Sequence, residues 1–103
     1  MEIVSLTEDN FSSFLAEGGM ALVEFYATFC GPCKSFAPTL HAFAEDTPAI
    51  RVGKMDVERS DKWSTAYEVS SVPTLLLFQD GKLVDRHTGQ MDLPALRQFV
   101  TGR

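Results

Sequence analysis

Apolar positions along the chain alternate between helical and strand spacing. Ile3, Val4 and Leu6 read as a short first strand. Phe11, Phe14 and Leu15 then share one helical face, with Thr7 as the expected cap, Glu8 and Asp9 in the first turn, and Gly18-Gly19 as the stop. Met20 to Tyr26 is almost continuously apolar, as expected of a strand buried on both faces, so its one charge, Glu24, stands out. Cys33, Phe36, Ala37, Leu40, Phe43 and Ala44 recur at helical spacing, and Pro38 inside that run predicts a kink. Ile50 to Val57 supplies the next strand. The resulting strand-helix-strand unit should cross over right-handed and pair in parallel.

Ser60 is the expected cap of a third helix that turns Trp63, Ala66 and Tyr67 inward. Val72 to Phe78 forms the following strand, and Asp80-Gly81 before Leu83-Val84 is a strong signal for a two-residue hairpin. The last two strands should therefore be antiparallel. Beyond Gly89, Asp92 caps a final helix with Pro94 in its first turn and Leu96, Phe99 and Val100 inward. The order β-α-β-α-β-α-β-β-α predicts an α/β fold, a mixed sheet covered by helices, with residues 1–103 as a single domain.

The 103 residues suit one hydrophobic core, and 45% hydrophobic with 22% charged residues is an ordinary globular balance. A net charge of −5 argues against a nucleic-acid or anionic-membrane partner, because both attract basic surfaces. The first residues lack the basic start and apolar run of a signal peptide, and no apolar stretch approaches the roughly 20 residues that span a bilayer. A soluble cytoplasmic protein is the expectation. In that setting Cys30 and Cys33, three positions apart, make a poor structural staple, since so short a loop removes little entropy from the unfolded chain. They read instead as a reactive pair.

A cysteine at a helix N-terminus faces unpaired N–H groups and the positive end of the helix dipole, both of which favour thiolate. Cys30 is placed as the nucleophile. Cys33, one turn inward, is placed to attack a mixed disulfide at Cys30 and release the reduced substrate. Gly31 permits close approach of a substrate backbone, and Pro32 starts the helix.

Val23 to Lys34, with Cys30-Gly31-Pro32-Cys33 at its centre, closely resembles the active-site stretch of thioredoxins. Val72 to Phe78, Gly81 and Gly89 follow in that family's order, so the resemblance spans essentially the whole chain. It implies the thioredoxin fold, a five-stranded mixed central sheet flanked by four helices, in a monomer that reduces disulfides of protein substrates. It also implies re-reduction by a thioredoxin reductase, with no bound cofactor. In the family the proline matching Pro73 is cis and faces the cysteines, which frees the preceding carbonyl for substrate backbone; the plainer reading is that Pro73 starts an exposed edge strand. Glu24 stands where the family usually carries a buried aspartate that helps deprotonate the second cysteine, and Lys54 matches the lysine near it. A plain Glu24–Lys54 ion pair at the sheet edge is the structural alternative.

Phe29 and Tyr26 replace the tryptophans usual at both places. Phe29 is assigned to substrate contact, whereas Tyr26 and the single tryptophan, Trp63, are assigned to packing. By family position the docking rim comprises Phe29, Gly31, Pro32, Val57, Val72, Thr88 and Gly89, with Met91 as an addition. Three other functions fit parts of the pattern. Zinc would need two more ligands, for which His41 and His87 are the available histidines. An oxidase or isomerase on the same fold is disfavoured by Gly31-Pro32 and by the absent leader, while a non-catalytic partner subunit is disfavoured by the intact cysteines.

Overall fold

A computed structural model describes residues 2–103. Among them five strands and four helices follow one another: β1 (Val4–Leu6), α1 (Phe11–Ala16), β2 (Met20–Tyr26), α2 (Gly31–Asp46), β3 (Arg51–Asp56), α3 (Lys62–Ala66), β4 (Thr74–Gln79), β5 (Lys82–Thr88) and α4 (Leu93–Thr101). The predicted order and the five-strand, four-helix count are those observed. The sheet runs β1-β3-β2-β4-β5, with β1, β3 and β2 parallel and β4 antiparallel to both its neighbours.

Period-two alternation along β2 sends Ala21, Val23 and Phe25 to one face, where they meet Phe11, Phe14 and Phe78. Leu22 goes to the other face, against Phe36, Leu40, Phe43 and Leu96. Glu24 therefore belongs to the same side as Leu22, beneath α2. Phe11, Phe25, Phe36, Phe43 and Phe78 are all fully buried, each worth about 1.5–3 kcal/mol of apolar transfer. The central strands β2 and β4 are thus covered on both faces, and a polar side chain buried there is a costly exception.

The hairpin forms as expected: Gln79 pairs with Lys82, and Asp80 and Gly81 take φ of 51° and 82°. Asp92 caps α4, its Oδ1 accepting the Ala95 N–H at 2.9 Å.

Elsewhere local boundaries move. Thr7 does not cap α1. Its hydroxyl accepts the N–H groups of Asp9 and Asn10 in a turn, so the helix begins at Phe11 and Glu8 and Asp9 lie ahead of it. Ser60 likewise sits one residue before the N-cap of α3, Asp61, and donates its hydroxyl to Glu8. That short helix buries Ser64, leaving Ala66 exposed. Trp63 is half-buried and stacks on Phe11 with ring centroids 4.6 Å apart. Ala37, expected inward, is exposed on α2. The α2 helix continues through Pro38, which has no N–H to give the carbonyl of Lys34. Among the described residues no helix is long and apolar enough to cross a membrane.

Because β2 and β4 are antiparallel, the end of one lies beside the start of the other, with Phe25 opposite Thr74. The segment that follows β2 carries Cys30, and the segment that precedes β4 carries Pro73. One pole of the sheet therefore receives both.

Candidate active site

Cys30 is the N-cap of α2, with extended backbone (φ −92°, ψ 112°), and Gly31 and Pro32 open the helix. Its Sγ accepts the N–H of Cys33 at 3.1 Å, the position a serine or aspartate oxygen takes in an ordinary cap. That contact and the helix dipole act on the same sulfur, and both favour negative charge on it. The two cysteines are joined in a disulfide with Cα atoms 5.2 Å apart. Burial separates them: Cys33 is 5% exposed, while Cys30 lies at the surface, half-buried. Open space surrounds the position a Cβ would take on Gly31.

The Val72–Pro73 peptide is cis, and the Val72 carbonyl oxygen lies 3.7 Å from Cys30 Sγ. Pro73 is buried, and its own carbonyl accepts the Gly89 N–H at 2.8 Å. The strand it introduces is interior, between β2 and β5, so the edge-strand alternative is overturned. The strand starts at Thr74, two residues later than expected. Pro73 has no N–H for the ladder, and Thr74 first turns back to give its hydroxyl to the Ser71 carbonyl at 2.7 Å.

Beneath Cys33 lies a cavity of about 240 Å³ whose wall includes Glu24, Cys33, Ala37, Leu40, His41 and Lys54. Glu24 is 4% exposed and its Oε2 has no hydrogen-bond partner. Burial pushes its carboxyl from 4.5 up to about 7, with the charge of Lys54 pulling the other way. Glu24 and Lys54 are register partners across β2 and β3. Among the described residues, however, no ion pair joins them, and the Lys54 ammonium sits 5.5 Å from the centroid of the Tyr26 ring. The plain ion pair at the sheet edge is therefore overturned, since β2 is central and the lysine lies over an aromatic face. Burial, reinforced by Asp56 and Glu24, pushes the Tyr26 phenol up.

The rim residues come from four segments. Phe29 stands in the turn before Cys30 and is 88% exposed. Gly31 and Pro32 are exposed at the start of α2. Val57 is tied to this pole by its N–H to the Tyr26 carbonyl, 2.9 Å, and Val72 by its place opposite Cys30. Thr88 pairs with Thr74, and Gly89 is bonded to Pro73. Met91 packs against the core on the α2 and α4 side. His87 lies edge-on to Phe99, with centroids 6.1 Å apart, while His41 lines the cavity below Cys33.

Two features escaped the sequence reading. His41 shares the cavity with Glu24, which its helical position alone did not indicate. Glu58 accepts both the N–H and the hydroxyl of Thr28 on one oxygen, at 2.9 and 2.8 Å, across 30 residues of chain. Only the parallel pairing of β2 with β3 brings those loops together, so no local pattern could have revealed the contact.

The model of the Thioredoxin family matches residues 2–102. A thioredoxin of Chlamydia muridarum is 41% identical over 101 residues, covering 98% of this chain and 96% of its own. One from Staphylococcus epidermidis is 43% identical over 90 residues, 86% of each chain. Among solved structures, a mutant thioredoxin from Halobacterium salinarum superposes with a TM-score of 0.92 at 32% identity, covering 98% of this chain and 89% of that one. Fasciola hepatica thioredoxin gives 0.90 at 32% identity over 97% and 98%.

Proposed function

The chain belongs to the thioredoxin family and is a thiol–disulfide oxidoreductase acting on protein disulfides with a reductase as its electron source; from that premise we propose how its own residues divide the work. Cys30 attacks. Its sulfur is half-exposed and caps the helix, so its thiolate displaces one sulfur of a substrate disulfide and forms a mixed disulfide. Cys33 then attacks Cys30 Sγ, forming the intramolecular disulfide and releasing the second substrate sulfur as a thiolate. Two electrons pass from the cysteine pair to the substrate, and a reductase returns them.

Cys33 is buried and must lose a proton before it can resolve the intermediate. Glu24, in the cavity beneath it, takes that proton, because a carboxyl titrating near neutrality can hold and release one at working pH. Lys54 tunes Glu24 through its charge. The Val72 carbonyl, turned towards Cys30, accepts a substrate backbone N–H, and Phe29, Pro32, Val57, Thr88 and Gly89 provide the shallow rim around it. In this reading the protein is a cytoplasmic monomer with no bound cofactor, re-reduced by a thioredoxin reductase.

The capped, half-exposed Cys30 sulfur above a buried Cys33 carries this division of roles. Its test is a pair of variants with insulin as substrate. Cys33→Ser should accumulate a mixed disulfide visible by mass, whereas Cys30→Ser should neither trap substrate nor turn over. Trapping by Cys30→Ser in place of Cys33→Ser would reverse the assignment.

A further inference from the structure

The turn between β2 and α2 contains the most exposed large apolar side chain among the described residues, Phe29. With so little of its ring covered, packing cannot fix its direction, and its backbone must do so. Within the turn, the Cys30 N–H reaches the Ala27 carbonyl at 3.3 Å, a long bond. The stronger attachment comes from Glu58, whose Oε1 receives both donors of Thr28, immediately before Phe29. Glu58 is itself held in place. Its N–H donates to Asp56 Oδ1 at 2.9 Å, and the preceding Val57 N–H is bonded to the Tyr26 carbonyl at the end of β2.

We infer that Glu58 is a positioning residue: by clamping Thr28 it holds Phe29 and the Cys30 backbone in the orientation that protein substrates meet. The inference rests on the reading of Phe29 as a substrate contact. Both clamp donors are exposed, so water replaces the carboxylate when it is removed and the fold loses little. What is lost is preorganisation. An aromatic side chain that must be ordered during binding weakens association without altering the sulfur chemistry that follows.

Reduction of insulin and of a small symmetric disulfide, hydroxyethyl disulfide, distinguishes this role from a general one. Glu58→Ala should raise KM for insulin about threefold to tenfold, the range expected for ordering one aromatic contact, with kcat nearly constant and the small-disulfide rate reduced by less. Glu58→Gln keeps an acceptor oxygen and should recover most of the loss. Thr28→Val, which removes one donor, should show a weaker version, and Thr28→Ser should restore it; this pair serves equally if Glu58→Ala does not fold. An unchanged KM, an equal loss on both disulfides, or Glu58→Gln as impaired as Glu58→Ala would overturn the clamp. Wild-type protein inactive on both disulfides would instead count against the proposed function.

Discussion

Glu24 and Glu58 both serve the pole that carries the cysteines, one below Cys33 and the other beside the turn before Cys30, and their carboxyls shift in opposite directions. Glu24 is sealed between sheet and helix with one oxygen unpartnered, and burial raises it to about 7. Glu58 is open to solvent and accepts two hydrogen bonds from Thr28, which hold it below the usual carboxylate range. Burial without partners favours the neutral acid, and hydrogen bonds to the ion favour the ion. The first environment suits a group that must exchange protons near neutrality. The second suits one that must remain a fixed acceptor.

The largest expected effect is at Glu24. Between pH 4.5 and about 7 the unfolded chain releases the proton that the folded protein keeps, so stability falls as pH rises through this window. The contribution is complete below 4.5, absent above the folded value, and on the order of 3 kcal/mol in all. Glu24→Gln should abolish that slope in urea titrations followed by Trp63 fluorescence. The same variant should slow disulfide turnover by about a hundredfold, the lower end of what a positioned acid or base contributes, and more than it harms folding. A folded variant with unchanged turnover across pH would remove Glu24 from the proton path and break the comparison.

A smaller effect concerns what opposes burial. Lys54 pulls the Glu24 carboxyl down, so Lys54→Met should move its midpoint above 7, as read by carbon-13 NMR of the carboxyl. A downward movement would mean that the lysine acts on Glu24 by something other than its charge. The smallest effect belongs to Glu58. Its carboxyl should titrate below the ordinary range and return towards it in Thr28→Val. Its stabilising contribution should be present above the ordinary carboxylate value and lost as pH falls through the depressed one, the opposite slope to Glu24. With both groups exposed the contribution is small, so Thr28→Val should lower the urea midpoint at neutral pH only slightly.

The contrast also marks what could be read from sequence. Glu24 was visible as the one charge in an apolar strand, while the face it occupies, beneath α2, emerged only from the packing of Leu22 and the cavity below Cys33. The hairpin at Asp80-Gly81 and the Asp92 cap were visible because each depends on residues adjacent in sequence. Thr7 and Ser60 misled because their hydroxyls cap turns that precede helices, and sequence alone does not separate the two uses. The absence of an ion pair between Glu24 and Lys54 was not legible either. Register brings their backbones together, while the side chain of Lys54 chooses the Tyr26 ring. Glu58 with Thr28 is the extreme case, a contact between two loops that exists only once β2 and β3 lie side by side.

The addition of β4 to β2 has a consequence for biosynthesis. Cys30 leaves the ribosome 42 residues before Val72, whose carbonyl faces it in the finished protein. A chain interrupted after Cys33 and before Val72 already carries both thiols but has no β4 against β2, so Glu24, later paired with Leu75 across that edge, borders water. Its carboxyl would then ionise like any other. The nascent chain thus carries its reactive sulfurs before it acquires the surroundings that tune them, and the docking of one late strand encloses the acid and brings the substrate-facing carbonyl to Cys30 together.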